Sequence, residues 1–319
     1  MKKPVLTIAV PVYNEIGYLP KVLESIAAQT GENNRDLFEV LISDNKSTDG
    51  TTGYLKTCPL QSNFRVNFND KNIGADANFD LLVSEARADH VWLLGGQDYL
   101  KDGSIDLIIS KIKTINPDLL LLNFAISTEE GGKESINVAY DEVDREIFKS
   151  SYKFFISTGG PGLAMSSNVF RKQIYLDGLS RGRHSKNWPH IESLYSGLFK
   201  RSESDRSGRT YALVKTPVFT LFREKDGWWT TDLVLQNYLN LIEIGNKKIS
   251  NPFLKYRIRH RRCGFALKNS VLLNLANGEQ IQFSDLTRII RMSWPIPHFW
   301  LIAFPSLIKS LRIWKRYQD

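Results

Sequence analysis

The chain has 319 residues, of which 42% are hydrophobic and 24% are charged, values that are ordinary for a globular protein with a buried core. The formal net charge is +8, and it is concentrated at one end, because residues 253–319 contain 12 Lys and Arg against 3 Asp and Glu. The positive charge therefore lies in residues 253–319, and we expect an anionic surface to bind this part of the chain.

The two cysteines, Cys58 and Cys263, are too few to build a disulfide framework or a metal cluster. A reducing, cytosolic setting is therefore expected. The chain begins with Met-Lys-Lys-Pro and runs directly into an apolar, β-branched segment, so we expect no secretory signal peptide.

Apolar runs that end in turn-forming residues alternate with segments of helical periodicity through the first 125 residues. Strands that alternate with helices predict an α/β fold, built on a doubly wound, mostly parallel sheet flanked by helices. The predicted strands are 6–12, 38–43, 65–69, 91–94 and 119–124, and the predicted helices are 18–29, 75–86 and 104–115.

The pattern loosens beyond residue 129, where glycine-rich and polar segments separate the predicted elements. The basic end of the chain is predicted to be mainly helical, with helices at 253–262 and 286–292. Before it we predict a flexible loop at 159–162, a polar, basic connector at 178–187, a helix at 191–199, short strands at 211–215 and 218–223, and a long helix at 228–244.

Polar side chains follow four of the predicted strands at the points where the strands end. Ligands of open α/β sheets bind beyond the carboxyl ends of the strands, so these loops are candidates for a nucleotide site. Each loop alone could equally consist of turn and cap residues. The loops are Pro11-Val12-Tyr13-Asn14-Glu15, Ser43-Asp44-Asn45-Lys46-Ser47, Asn72-Ile73-Gly74-Ala75-Asp76-Ala77-Asn78 and Gly95-Gly96-Gln97-Asp98.

In order and spacing these loops resemble those of the inverting GT-A glycosyltransferases, and in particular the abequosyltransferase-like subgroup that makes bacterial surface polysaccharides. The resemblance covers roughly residues 4–125. It implies transfer of a hexosyl or deoxyhexosyl group from a nucleotide-sugar donor to a growing, lipid-linked or oligosaccharide acceptor. The donor-binding residues that it implies are Pro11, Tyr13, Asn14, Glu15, Asp44, Asn45, Asn72, Asp76, Gly96, Gln97 and Asp98.

The resemblance also implies that the turn at Asp98 holds the diphosphate through Mg²⁺ or Mn²⁺, with Asp98 as the metal ligand. The family usually places two or three acids in this turn, whereas Asp98 has Gly96 and Gln97 beside it. One carboxylate, the diphosphate oxygens and several waters can still hold Mg²⁺, although more weakly. A second hypothesis is therefore a catalytically silent relative that binds nucleotide or glycan as a partner subunit.

Inverting transfer needs a base that takes the proton of the acceptor hydroxyl. The resemblance places this base near the start of a helix after the sheet, which matches residues 188–194. We predict His190 and Glu192 as catalytic residues, with their roles unresolved: an imidazole titrates near neutrality, and a partly desolvated carboxylate could also serve. The alternative is a capping residue followed by a solvated helix acid.

Arg223, Trp228 and Trp229 are candidates for the acceptor side of the site. Aromatic faces stack on sugar rings and cations hold phosphates, so a mobile loop carrying these residues fits an acceptor. The alternative is that the two tryptophans pack the start of helix 228–244 into the core.

Residues 292–308 contain no charged side chain and four large aromatic ones, and cations flank them on both sides. Three prolines break this stretch, which is also short for a membrane span. Tryptophans bracketed by cations favour contact with the headgroups of an anionic membrane. The alternative is a segment folded onto the domain or onto a second subunit. Nucleic acid is not an expected partner, since the apolar run fits lipid better.

These predictions divide the chain into three parts. Residues 1–125 form the nucleotide-sugar-binding half of a GT-A domain, residues 126–250 form the acceptor and catalytic half, and residues 251–319 form a basic, aromatic region that associates with a membrane. The protein is expected in the cytoplasm, peripheral at the inner face of the cell membrane.

Overall fold

The structure is a computed structural model. It describes residues 3–127, 134–136, 140–141, 143–158, 162, 164–180, 189–204 and 209–222, and the isolated positions 252, 256, 287 and 290. The chain divides into two compact units, one comprising Met1–Phe154 and Pro161–Lys225 and the other Phe155–Gly160 and Asp226–Asp319. Most of the described residues belong to the first unit. The predicted limits at residues 125 and 250 stay predictions.

The described residues form ten strands, seven α-helices and two short 3₁₀ turns. The strands are β1 Leu6–Val12, β2 Phe38–Asp44, β3 Phe64–Phe68, β4 His90–Leu93, β5 Tyr99–Leu100, β6 Leu119–Ser127, β7 Ser135–Ile136, β8 Ile147–Phe148, β9 Asn168–Arg171 and β10 Tyr211–Phe222. The helices are α1 Leu19–Ala27, α2 Thr51–Thr57, α3 Ala75–Glu85, α4 Ser104–Ile115, α5 Ser151–Thr158, α6 Lys172–Leu179 and α7 Pro189–Ser204, and the 3₁₀ turns are Arg35–Leu37 and Met165–Ser167.

All ten described strands belong to one mixed sheet, with the order β3-β2-β1-β4-β9-β6-β10-β5. The pairs β3-β2, β2-β1, β1-β4 and β6-β10 are parallel, whereas β9 is antiparallel to both β4 and β6. β5 and β8 pair antiparallel with β10, and β7 pairs antiparallel with β6. The four strand-end loops therefore follow strands that all run in one direction, and the predicted α/β fold is confirmed, with a sheet that is mixed.

The core lies around the central strands, which are apolar on both sides. β2 and β4 are buried along their whole length, as expected of parallel strands with both faces covered. Helix α1 completes the core on one face, because its four apolar side chains at helical spacing are all buried in the same cluster as the central strands. These four are the residues that the sequence pattern predicts: Leu19, Val22, Leu23 and Ile26.

Several elements differ from their predicted form. The two predicted strands at 211–215 and 218–223 are one strand, β10, whose pairing with β6 shifts register on either side of Pro217. Proline cannot donate to the ladder, which explains both the irregularity and the apparent gap in the sequence pattern. The start of the predicted connector at 178–187 is the end of helix α6, and residues 181–188 lie outside the described residues.

Helices α6 and α7 approach each other so closely that glycine is required at the contact. A Cβ atom on Gly178 would lie 1.8 Å from the Ser193 carbonyl oxygen, and one on Gly197 would lie 1.9 Å from the Ile174 carbonyl oxygen. Gly178, near the end of α6, lies against Ser193, near the start of α7, so the two helices run antiparallel. This contact fixes the position of α7, which carries His190 and Glu192 in its first turn.

Candidate functional site

The loops after β1 and β2 are joined by hydrogen bonds. Asn14, in the left-handed region with φ of 57°, donates its backbone N–H to the Ser47 hydroxyl at 2.9 Å and accepts the Thr48 N–H on its side-chain oxygen at 2.8 Å. The N–H of Glu15 donates to the Thr51 hydroxyl at 3.0 Å. Asn tolerates this backbone region better than most residues do, and its short side chain bonds locally. The first two predicted loops are therefore held together as one unit at the edge of the sheet.

The buried side chain of Asp44 stabilises the second of these loops. Its side chain is 1% exposed, and one carboxylate oxygen accepts both the backbone N–H of Ser47, at 3.1 Å, and the Ser47 hydroxyl, at 2.6 Å. The other oxygen accepts the hydroxyl of Thr52. Carboxylates that accept several hydrogen bonds from one loop hold that loop in a single conformation. Asp44 thus shapes the loop, and direct contact with a donor stays a prediction.

A chain of side-chain amides connects the third loop to the second. Asn45 donates to the side-chain oxygen of Asn72 at 2.9 Å and accepts the N–H of Ile73 at 2.9 Å. Asn72 also accepts the N–H of Gly74, the N-cap residue of helix α3, whose φ is 85°. Asp76 lies in the first turn of α3, where the helix dipole favours an acid.

Two further predicted donor residues lie at the end of β1. Pro11 is half-buried and pairs with Ser43 of β2 within the parallel ladder. Tyr13 follows the strand and is 45% exposed, so its ring is open to a ligand. An exposed aromatic face beside a polar loop can stack on a nucleobase or a sugar.

The fourth loop is a tight turn that folds Asp98 back toward the sheet. The N–H of Asp98 donates to the carbonyl of Gly95 at 3.1 Å, and the whole residue is 8% exposed. Its carboxylate accepts the hydroxyl of Ser166 at 2.5 Å and the backbone N–H of Phe222 at the end of β10. Three distant segments of the chain therefore meet at this one acid.

Burial raises the pKa of the Asp98 carboxyl from its ordinary value of 3.8 to about 7. The hydrogen bonds from Ser166 and Phe222 favour the ionised form and lower the pKa, and the negative charge of Glu15 raises it. A buried acid with a strongly shifted pKa at a loop cluster is typical of a functional site. A cation bound here would favour the ionised form.

The two glycines of this turn make room for two carboxylate side chains. A Cβ on Gly95 would lie 2.9 Å from the Asp98 Oδ2 atom, and one on Gly96 would lie 3.1 Å from the Cγ atom of Glu15. Glycine at both positions lets the side chains of Asp98 and Glu15 approach the same turn. The second acid that the turn itself lacks is thus brought near it by the first loop.

A small, open concavity lies beside this turn. Gln97, a predicted donor residue, lines it together with aromatic side chains. The rings of Tyr18 and Phe222 are 5.3 Å apart, and the Lys21 ammonium lies 4.4 Å from the centre of the Tyr99 ring. Aromatic faces with an adjacent cation suit a sugar that carries a phosphate.

His190 and Glu192 are both buried, at 5% and 1% exposure. The His190 ring stands edge-on to the ring of Phe79 in α3, with the centres 5.7 Å apart. The first turn of α7 is therefore packed against the helix that begins at the third loop. Glu192 is not a solvated helix acid, as the alternative interpretation requires, and its catalytic role stays a prediction.

The structure brings the four strand-end loops together and adds Ser166 and Phe222, which the sequence analysis did not identify. Nothing in the sequence signals the contact between Ser166 and Asp98, because it joins residues 68 positions apart. The three predicted acceptor-side residues lie outside the described residues, as does nearly all of the basic C-terminal region. They are Arg223, Trp228 and Trp229.

Asp98 alone cannot complete the coordination of a divalent cation, so other oxygen ligands are needed at this site. Among the described residues there is no group of three or more His, Cys, Asp or Glu side chains that could hold a metal. Mg²⁺ and Mn²⁺ sites that complete their coordination with substrate phosphates and water need only one or two carboxylates. Asp98, with the nearby negative charge of Glu15, meets that requirement.

No helix in the described part of the chain is long and apolar enough to cross a membrane.

Comparison with known proteins supplies independent findings. The model of the family described as glycosyl transferase family 2 matches residues 7–178, which is more than half of the chain. Abequosyltransferase RfbV of Salmonella typhimurium is 29% identical over 185 residues, or 53% of each chain. Glycosyltransferase GlyG of Streptococcus pneumoniae is 24% identical over 128 residues, which are 40% of this chain and 41% of GlyG. The chain thus matches about half the length of these curated relatives.

Solved structures show the same fold at low sequence identity. S. aureus TarS 1–349 in complex with UDP-GlcNAc is 14% identical with a TM-score of 0.62, and the match covers 90% of this chain and 79% of TarS. Mannosyltransferase PcManGT from Pyrobaculum calidifontis in complex with GDP-Man and Mn²⁺ is also 14% identical, with a TM-score of 0.55 over 98% of this chain and 87% of that one. The predicted GT-A fold is confirmed.

Proposed function

Because the chain belongs to glycosyl transferase family 2, we propose that it is an inverting glycosyltransferase that moves a sugar from a nucleotide-sugar donor to a bacterial surface glycan. The single observation that carries the proposal is the linkage of the four strand-end loops: hydrogen bonds join the first to the second and the second to the third, and Glu15 of the first loop lies against the turn that contains Asp98. A relative named abequosyltransferase supports a hexosyl or deoxyhexosyl donor, with a lipid-linked or oligosaccharide acceptor.

The first three loops are the proposed site for the nucleoside. Asp44 and Asn45 use their side chains to hold the loops together, so the loop conformation exists before a ligand arrives. A preformed site loses little conformational entropy on binding. Tyr13, exposed at the end of β1, is the proposed stacking surface for the base.

The diphosphate is proposed to meet the fourth loop. Asp98, together with Glu15, would hold Mg²⁺ or Mn²⁺, and the ion when bound would neutralise the charge that develops on the leaving diphosphate. Gly95 and Gly96 keep this turn free of side chains, so that both acids can reach it.

The transfer is proposed to be a single displacement. A bond forms between the acceptor oxygen and the anomeric carbon while the bond from that carbon to the diphosphate oxygen breaks. The proton of the acceptor hydroxyl goes to a base, for which His190 and Glu192 are the candidates. Their burial in the first turn of α7 removes them from competing water.

The experiment for this proposal is calorimetric titration of the full chain with Mn²⁺ and a panel of nucleoside diphosphates, followed by assay of the matching nucleotide sugars. We expect one nucleoside diphosphate to bind in a Mn²⁺-dependent way and its sugar to be transferred or slowly hydrolysed. No binding and no turnover across the panel would contradict the proposal.

The second candidate is a catalytically silent binding subunit. The observation that favours it is the replacement of family acids by Gly96 and Gln97 in the metal turn. Nucleotide binding without any turnover, unchanged when Asp98 is replaced by Ala, would favour this candidate over the enzyme.

We also propose that residues 251–319 hold the protein at the cytoplasmic face of the membrane. The support is the sequence: an uncharged, tryptophan-containing stretch between clusters of Lys and Arg. The full chain is expected to float with liposomes that contain anionic lipid, and less so in high salt. Replacing Trp294 and Trp300 with Ala should weaken flotation in low salt as well. Equal flotation with neutral and anionic liposomes would contradict an electrostatic contact.

A further inference from the structure

We propose that Ser166 is a positioning residue for Asp98, and that its hydroxyl holds the carboxylate in the orientation that binds the divalent cation. This inference rests on the proposed function of the Asp98 turn. Ser166 lies in the 3₁₀ turn Met165–Ser167, immediately before β9, and is fully buried.

The contacts of Ser166 join strand β4 to both ends of the turn Gly95–Asp98. Its hydroxyl donates to the Asp98 carboxylate at 2.5 Å and accepts the N–H of Gly95 at 2.9 Å. Its carbonyl accepts the indole N–H of Trp92 at 2.7 Å. The serine therefore binds the strand that leads into the turn, the first residue of the turn and the acid at its end.

The direction of the hydroxyl follows from this arrangement. Because the Gly95 N–H occupies the hydroxyl as an acceptor, the single O–H proton is left for the carboxylate. A hydrogen bond from a neutral donor to a carboxylate is stronger than one between neutral groups, so this contact holds the Asp98 side chain in one orientation. Removing it should loosen the side chain and weaken the cation site together.

The neighbouring serine provides a matched control. Ser167 is also fully buried, but its hydroxyl donates to the Ala164 carbonyl at 2.6 Å, which belongs to its own turn. Replacing either serine with Ala removes one buried hydroxyl and two hydrogen bonds, because the Ser167 hydroxyl also accepts from the Asn168 amide at 3.5 Å. Only the change at Ser166 removes a contact with Asp98.

The experiment measures Mn²⁺ binding to the full chain by electron paramagnetic resonance, with the nucleoside diphosphate that binds best. Residues that orient metal ligands contribute 10- to 100-fold to metal affinity. We expect Ser166→Ala to raise the Mn²⁺ dissociation constant at least about 10-fold, and Ser167→Ala to change it less than about twofold. The melting temperatures of the two variants should be similar. If Ser166→Ala does not fold, Ser166→Cys keeps the volume with a weaker donor and should also weaken binding.

A double substitution separates positioning from a general structural effect. On an Asp98→Asn background, Ser166→Ala should weaken residual Mn²⁺ binding no further, because the group that it positions is gone. Equal Mn²⁺ affinity in Ser166→Ala and Ser167→Ala would overturn the inference while leaving the proposed function intact. Absence of Mn²⁺ binding by the unsubstituted protein with every nucleoside diphosphate would overturn the proposed function, and the inference with it.

Discussion

Asp98→Asn is expected to stabilise the metal-free protein at pH 8 and to weaken Mn²⁺-dependent nucleotide binding strongly. The stabilisation follows from the burial that raises the pKa of Asp98 to about 7, and the loss of binding follows from removal of the carboxylate proposed to hold the ion. The folded protein holds the proton more tightly than the unfolded chain does. The contribution of this group to stability is therefore complete below pH 4 and is lost as the pH rises toward 7. Asparagine stays neutral at every pH, so it escapes this loss.

The measurement is the free energy of unfolding by denaturant, in the presence of a chelator, at pH 5 and pH 8. We expect the advantage of Asp98→Asn over the unsubstituted protein to grow by about 2 to 3 kcal/mol between these two pH values. Asp89→Asn is the control, because Asp89 is exposed and a hydrogen bond from Lys3 lowers its pKa. That variant should change stability little. An advantage of Asp98→Asn that is the same at both pH values would contradict the shifted pKa.

Gly197→Ala is expected to separate α7 from α6 and to lower the free energy of unfolding by about 3 kcal/mol or more. The added methyl group would lie 1.9 Å from the carbonyl oxygen of Ile174, which is backbone and cannot turn away as a side chain does. Because α7 carries His190 and Glu192, sugar transfer should fall as well.

Gly53→Ala is the matched control for this prediction. Gly53 lies in helix α2, is exposed, and has no atom within 4 Å of the position that a Cβ would take. Alanine there should raise the free energy of unfolding by about 0.5 to 1 kcal/mol, since it favours the helix. Circular dichroism during thermal unfolding compares the two variants. A melting temperature of Gly197→Ala equal to that of the unsubstituted protein would show that the helices are not in contact as described.

Elements with strong patterns could be predicted from the sequence. The apolar spacing of α1 identifies the face that it buries, and the β-branched run of β1 identifies a central strand. Several short elements were not predicted. β9 has only four residues and α2 only seven, so neither contains enough repeats for a periodic pattern. β10 reads as two strands because Pro217 interrupts its ladder.

The sequence predicted which segments form the candidate site, but it did not predict which side chains contact one another there. The residue types after each strand indicate where ligands bind, and the structure brings those loops together. The partners of each side chain depend on the folded chain. Asp44 is predicted from sequence to meet the donor, but its carboxylate accepts hydrogen bonds from Ser47 and Thr52 of its own loop. Ser166 belongs to no recognisable motif. Its proposed role depends only on its closeness to Asp98 in the folded chain.

The departure of the turn Gly95–Asp98 from the family pattern has a physical interpretation in the folded protein. Gly96 takes the place of an acid, and the space that it leaves is approached by the side chain of Glu15 from the first loop. The charge of Glu15 acts on Asp98, raising its pKa. Two negative groups at one turn favour a cation between them. Two acids on different loops thus lie near this turn, and they are the basis of the proposed cation site.

A crystal of the full chain soaked with Mn²⁺ and the nucleoside diphosphate that binds in calorimetry tests most directly whether Asp98 meets the diphosphate. We expect the anomalous signal of one Mn²⁺ ion at about 2.1 Å from an oxygen of Asp98. The diphosphate should contact the same ion, with the nucleoside between the loops that contain Asn14 and Asn72. Nucleotide and Mn²⁺ bound together at a place remote from Asp98 would contradict this assignment.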